Sequence, residues 1–207
     1  NEFLTRVNLM KAYQPDSETP IQHARRCVVV GGGNVAMDAA RCAKRLGVEN
    51  VTIVYRRSME ELPARREEVE HAQEEGIEFQ LLCNPVRVHS DEYGNVSGVE
   101  CIRMELGDAD SSGRRRPVEI KDSNFIIEAD CMIMAIGTSP NPLLRSTTEH
   151  LEANKRGCLI VDEDSMTTRE NVYAGGDAVT GAATVILAMG AGKKAAEAID
   201  NKIKGNA

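Results

Sequence analysis

The first pattern with a clear chemical use is Gly31-x-Gly33-x-x-Ala36, set directly after the apolar run Cys27-Val28-Val29-Val30. A glycine at 31 permits a tight turn, one at 33 lets the backbone come close to a pyrophosphate, and alanine at 36 lets a helix pack tightly on the preceding strand. An anion at the Gly31-Gly32-Gly33 turn would meet unpaired N–H groups and the positive end of a helix dipole. The spacing recurs as Gly190-x-Gly192-x-x-Ala195. That copy lies inside an apolar helical run with no strand before it, which excludes it as a phosphate loop.

The next residues that bear on a nucleotide follow the second expected strand, Val51 to Tyr55. A site for NAD usually places Asp or Glu there, accepting from the ribose 2′-hydroxyl. Here the chain continues Arg56-Arg57, and no acid appears before Glu60. Guanidinium forks hold a phosphate dianion bidentately. Arg56 and Arg57 therefore point to NADP(H) rather than NAD(H), with Arg65 and Arg66 able to reach the same region.

A third signal is Val172-Tyr173-Ala174-Gly175-Gly176-Asp177, followed by Thr184-Val185 and a long helical run. Gly-Gly-Asp after a strand puts a carboxylate at the carboxyl edge of a sheet, where it can accept from a sugar hydroxyl. The helix start at Thr184-Val185 can offer N–H groups to an electron-rich carbonyl or ring.

The remaining reactive types suggest nothing catalytic. Cys27, Cys42, Cys83, Cys101, Cys131 and Cys158 are all more than four positions apart. Zinc, iron–sulfur and dithiol sites usually contain a close pair. They read as small buried hydrophobes in a reducing cytoplasm. His23, His71, His89 and His150 are scattered. No metal site and no catalytic residue is expected.

The elements that position these residues follow from periodicity. Cys27–Val30 reads as a buried parallel strand. Asn34 is expected to cap a helix with Val35, Ala36, Ala39, Ala40, Ala43 and Leu46 on one face, stopped by Gly47. With Val51–Tyr55 this makes a βαβ unit. Pro63 is expected to open a charged surface helix over 64–75. Three β-rich stretches follow, 77–82, 86–89 and 96–106, with turn signals at Asn84-Pro85, 91–95 and 107–113. The polar segment 107–116 reads as a mobile hairpin tip. Strands are expected at 118–121, 125–128, 131–136, 159–161 and 172–174, and a helix from about 184 to 204.

Composition sets the outer limits. The chain has 207 residues and a formal charge of −7, which disfavours non-specific nucleic-acid binding. Hydrophobic residues are 42% and charged residues 28%, an ordinary globular balance. No apolar run approaches the ~20 residues of a membrane span. The chain starts at Asn1 with no signal-peptide pattern, so it is expected to be a cytoplasmic piece of a longer protein.

Three segments together resemble one family: VVVGGGNVAMDAA with TIVYRRSMEELPARREE, then CMIMAIGTSPN, then VYAGGDAVTGAATVILAMGAGKKAA. They are similar to the small (β) subunit of NADPH-dependent glutamate synthase and to related flavoprotein oxidoreductase subunits. The resemblance covers nearly the whole chain, and YRR…LPARREE is its most specific part. It implies an α/β, Rossmann-like NAD(P)-binding domain, with a central parallel sheet and an antiparallel β insert, joined to part of an FAD-binding domain. The expected division is 1–23 as a linker helix from the flavin domain, 24–137 as the NADP domain and 138–207 as the rest of the flavin domain.

By the same resemblance Gly31, Gly33, Asn34 and Val35 hold the NADPH pyrophosphate, and Arg56 and Arg57 the 2′-phosphate. Gly137 marks the return to the flavin domain, Asp177 binds the FAD ribityl or pyrophosphate region, and Thr184 and Val185 face the isoalloxazine. NADPH reduces FAD, and electrons leave through iron–sulfur clusters to the glutamate synthase large subunit or another accepting subunit. The family's first flavin-binding GxGxxG and its cysteine-rich cluster domain are not in this sequence, so FAD is expected to bind weakly or not at all. A flavoprotein subunit of a ferredoxin–NADP oxidoreductase or sulfide dehydrogenase fits the same residues, and so does a non-catalytic NADP-binding module. A thioredoxin-reductase activity is excluded for want of a CxxC pair.

Overall fold

Four consecutive apolar residues at 27–30 call for cover on both faces, and the computed structural model supplies it. The structure describes residues 1–109 and 113–205. They fall into two units, Asn1–Ile136 and Gly137–Ala207.

The first unit opens with α1 (Glu2–Leu4), which widens into a π-helical turn over Thr5–Leu9. Then come β1 (Arg26–Val30), α2 (Asn34–Arg45), β2 (Asn50–Tyr55), a 3₁₀ turn at Met59–Glu61, α3 (Arg66–Glu74) and β3 (Glu78–Leu81). The antiparallel part is β4 (Cys83–Ser90), β5 (Val96–Ala109), β6 (Arg115–Glu119) and β7 (Phe125–Glu128), and β8 (Cys131–Met134) closes the unit. β3, β2, β1 and β8 form a parallel sheet in that order. The second sheet has the order β4-β5-β6, with β7 also on β5.

Burial explains the apolar run. Cys27 and Val29 face a cluster with Ala36, Met37, Ala39, Ala40, Ala43, Val51, Ile53, Val69 and Ala72. Val28 and Val30 face the opposite cluster, with Val54, Cys83, Val99, Cys101 and Ala129. The parallel sheet is thus sandwiched between α2 and α3 and the antiparallel strands. The small residues of α2 let it lie close to the sheet.

Several boundaries differ from the sequence reading. Gly33, not Asn34, is the N-cap of α2. The charged helix starts at Arg66 rather than at Pro63, because the Ala64 N–H donates to the Gly32 carbonyl (3.1 Å) and holds that stretch extended against the glycine turn. The stretch at 77–82 belongs to the parallel sheet, where β3 pairs with β2. Asn84-Pro85 lies inside β4, with a register shift between Pro85 and Arg87. This is an edge strand, where a proline costs no ladder bond. β6 starts three residues earlier than expected and β8 ends two residues earlier. Part of the expected hairpin tip, 110–112, lies outside the described residues. The leading segment packs with the first unit, with Val7 buried and Phe3 and Leu4 against the α2 cluster.

The second unit contains α4 (Pro142–Thr147), α5 (Asp177–Thr180) and α6 (Val185–Lys204). In place of the strands expected at 159–161 and 172–174 there are isolated bridges, Ala153 to Leu159, Val161 to Thr167 and Met166 to Tyr173. Gly190 and Gly192 lie within α6, as their helical surroundings required. Among the described residues no helix is long and apolar enough to cross a membrane.

Candidate functional site

In the parallel sheet β1 is followed by β2 and β3 on one side and has β8 on the other. The direction of strand addition therefore reverses between β1 and β8, and such a point opens a crevice at the carboxyl ends of the strands. The glycine turn sits there. The Gly31 N–H donates to the Val54 carbonyl (3.0 Å), and the Ala135 N–H donates to Val30 (2.8 Å).

The three glycines do different work. Gly31 has φ +144°, and a Cβ on it would stand 2.4 Å from the Ala135 oxygen. A Cβ on Gly32 would stand 2.7 Å from the Tyr55 ring. No protein atom lies within 4 Å of the Cβ position on Gly33. The space there is open, immediately before the first N–H groups of α2. Asn34 and Val35 provide N–H groups with no intrahelical acceptor. Turn, open approach and helix dipole together suit a phosphate. The Asn34 side chain does not cap its own helix. Its Oδ1 accepts from the Arg65 N–H (2.9 Å), tying the start of α2 to the start of α3.

Arg56 and Arg57 follow β2 and differ sharply. Arg56 is exposed. Arg57 is 9% exposed, and its Nε donates to the Arg115 carbonyl (2.8 Å). Among the described residues it has no carboxylate partner. No buried side-chain nitrogen is left unsatisfied there, so its terminal nitrogens reach the surface. A guanidinium held by its Nε, with terminal nitrogens at the surface, is positioned to meet an anion. Arg65 pairs with Glu68 (3.0 Å) and Arg66 with Glu70 (2.9 Å), so each is engaged within its own helix.

The sequence reading missed Tyr55 and Arg114. Tyr55 is buried and its hydroxyl donates to the Glu61 carbonyl (2.8 Å). Arg114 Nη2 donates to the Tyr55 hydroxyl (3.1 Å). Arg115 engages the Glu60 and Glu61 carboxylates. The Glu61 carboxyl is held below the usual range, first by the Ser58 hydroxyl and then by Arg115. The run Arg114-Arg115-Arg116 was the available signal.

In the second unit Gly137 has φ +89° and is exposed. Cβ atoms on Gly175 and Gly176 would press on Ala191 and Ala188 of α6, at 3.0 and 3.2 Å. These glycines let α6 lie on the loop. Asp177 is exposed, and its Oδ1 accepts from the Ala183 N–H (3.3 Å). Thr184 caps α6, accepting from the Leu187 N–H (3.4 Å), and Val185 is 75% exposed.

The cysteines are nearer to one another than their spacing suggests. Cys27 faces Cys131 across β1 and β8, and Cys83 neighbours Cys101. All six are free. The neighbouring Cys131 and Cys101 thiols, with burial, push Cys27 and Cys83 above the usual thiol range, which keeps them protonated. Among the described residues no group of three or more His, Cys, Asp or Glu could hold a metal. A hollow lined by Phe3, Arg6, Ile21, Asp130 and Met132 among others does not include the glycine turn.

A parallel sheet with a glycine turn and a helix N-terminus at its switch point defines a dinucleotide-binding class. The family model for pyridine nucleotide-disulphide oxidoreductases matches residues 4–198, and the chain belongs to that family. It is 41% identical over 204 residues to NADP(+)-dependent formate dehydrogenase subunit beta of Moorella thermoacetica, covering 98% of this chain and 27% of that protein. It is 39% identical to the glutamate synthase [NADPH] small chain of Escherichia coli, with 86% and 38% covered. To the NADPH-Fe(3+) oxidoreductase subunit beta of Geobacter sulfurreducens it is also 39% identical, with 87% and 30% covered. The chain thus spans well under half the length of these relatives. T. acidophilum thioredoxin reductase has the same fold, with a TM-score of 0.67 at 24% identity over 86% of this chain and 53% of that one. Mycobacterium tuberculosis FprA in complex with NADPH has a TM-score of 0.64 at 19% identity, covering 87% and 53%.

Proposed function

We propose that this chain is the pyridine-nucleotide-binding portion of a flavoprotein oxidoreductase of the glutamate synthase small-subunit type. Residues 24–137 would bind NADPH, and residues 138–207 would contribute to a flavin site. The Gly31-Gly32-Gly33 turn and the Asn34 and Val35 N–H groups would hold the pyrophosphate. Arg57, with Arg56 beside it, would hold the 2′-phosphate, and Arg65 would add positive charge from the start of α3. Asp177, Gly176, Thr184 and Val185 would meet FAD, and Gly137 would be the joint between the two parts.

Bound together, the two cofactors would supply hydride transfer from nicotinamide to flavin. The protein contributes alignment and charge, so no catalytic acid or base is assigned. The electrons would pass to iron–sulfur clusters and an accepting partner subunit, such as the glutamate synthase large subunit. The names of the relatives, "small chain" and "subunit beta", support such a partner. They also differ in what they reduce, so a ferredoxin- or sulfide-linked acceptor fits equally. Six free cysteines support a reducing, cytoplasmic setting.

One observation carries the NADPH reading: Arg57, mostly buried and held through Nε, has its terminal nitrogens at the surface and no carboxylate partner among the described residues. Replacing Arg56 and Arg57 by glutamine should weaken NADPH binding by at least ~1.5 kcal/mol, the low end for hydrogen bonds to charged groups. NADH binding should barely change. Equal losses for both nucleotides would mean that the arginines do not read the phosphate.

A further inference from the structure

Two thiols far apart in the chain stand side by side in the parallel sheet. Cys27 of β1 is level with Cys131 of β8 in the register of these paired strands. Both face the α2 side, where Cys27 is buried in the cluster and Cys131 packs against it half-buried. Both also line one hollow of about 110 Å³, with Phe3, Ile21, Ala43 and Leu46 among its other walls. Cys131 borders a second hollow of about 590 Å³ as well, so the pair is reached from the Cys131 side. Cys83 and Cys101 also neighbour each other, but both are fully buried.

Level residues on neighbouring strands stand about 4.8 Å apart. The Cβ atoms of a disulfide are only ~3.8 Å apart, so joining the two sulfurs directly would draw the strands together. An ion held in line between the sulfurs needs no such movement, because two metal–sulfur bonds of about 2.3 Å each span about 4.6 Å. Asp130 is not a spare ligand. Its carboxylate oxygens both accept from the Arg25 N–H (3.1 Å), and Oδ1 also accepts from the Arg26 N–H (2.9 Å). Among the described residues no third His, Cys, Asp or Glu completes a metal-holding group. Two sulfurs alone are too few for zinc, which takes four ligands, and suit a soft ion of the kind that thiolates select.

We propose that Cys27 and Cys131 form a two-thiolate site for a soft monovalent cation of the copper(I) kind. On binding, each thiol gives its proton to solvent and its sulfur bonds the ion, and no electron is transferred. The neighbouring Cys131 thiol and burial make the Cys27 proton hard to remove, and the metal–sulfur bonds displace it. The glycine turn begins four residues further along the chain, about 13 Å at the rise of a strand. The site is therefore separate from the nucleotide-binding residues and stands independently of the NADPH reading.

The test uses the reduced 207-residue chain, with Cys42→Ser as the background because Cys42 is the other thiol that is not buried. Copper(I) is titrated anaerobically against bicinchoninate, a coloured chelator, with each variant held below its unfolding transition. One copper(I) per chain should be retained. Cys131→Ser and Cys27→Ala should each weaken retention roughly a hundredfold or more, since one of two metal bonds is lost. Cys83→Ala should retain the ion. The X-ray absorption spectrum of the loaded background protein should show two sulfur neighbours and no other ligand, a readout that needs neither site variant. No retained copper(I), retention that survives Cys131→Ser, loss with Cys83→Ala, or three or more ligands in the spectrum would each overturn the proposal.

Discussion

Gly31 and Gly33 stand two positions apart in one turn and lack a side chain for opposite reasons. At Gly31 a Cβ would meet protein backbone 2.4 Å away, on a residue already at φ +144°. At Gly33 a Cβ would meet nothing within 4 Å. Gly31→Ala should therefore damage the fold itself, by roughly 1–3 kcal/mol or more for the strained backbone alone. Gly33→Ala should change stability by less than about 1 kcal/mol, the range for a weaker N-cap residue, yet sharply reduce nucleotide binding. Thermal unfolding and NADPH titration of both variants check this. A Gly33→Ala protein that binds NADPH normally would mean that no ligand uses that space. The glycine spacing and the arginine pair were legible in the sequence because both are local. The division of labour between Arg56 and Arg57 was not, since the partner that positions Arg57 is Arg115, 58 positions away.

At the scale of elements, the βαβ unit was readable because its strand is apolar on consecutive residues and its helix carries alanines at helical spacing. The sheet to which the strand at 78–81 belongs was not legible, because an alternating edge strand looks the same in a parallel and an antiparallel sheet. Pro85 misled because a proline signals a turn unless a strand lies at an edge. No local pattern showed how α2 and α3 are joined. Arg41 of α2 reaches Glu68 (3.0 Å) and Glu75 (2.9 Å), and Arg45 also holds Glu75 (2.6 Å). The hydrogen bond from Arg45, then that from Arg41, keeps the Glu75 carboxyl below the usual range against the opposing effect of burial. A depressed folded-state value means stabilisation that is present above the unfolded carboxylate range and lost as pH falls through the folded value. Glu75→Gln should cost about 1–2 kcal/mol near pH 7, as for charged hydrogen bonds. The difference should fade in acid. Denaturant unfolding of both proteins at several pH values measures it, and a pH-independent difference would remove the ion pairs as its cause.

Considered whole, the chain is acidic, at −7, yet it gathers arginines at the end of β2. Its second unit leaves Val185, Ile186 and Leu187 well exposed at the start of α6. With one glycine turn in a strand–turn–helix setting among the described residues, purified protein should come out without stoichiometric flavin. Absorbance near 450 nm checks this, and a yellow one-to-one preparation would refute it. The central claim, a 2′-phosphorylated dinucleotide at the switch point of the parallel sheet, is tested most directly by titrating the unaltered chain with NADPH and with NADH. NADPH is expected to bind at least about tenfold more tightly, the ratio for one charged hydrogen bond. Equal affinity for the two, or tighter binding of NADH, would contradict it.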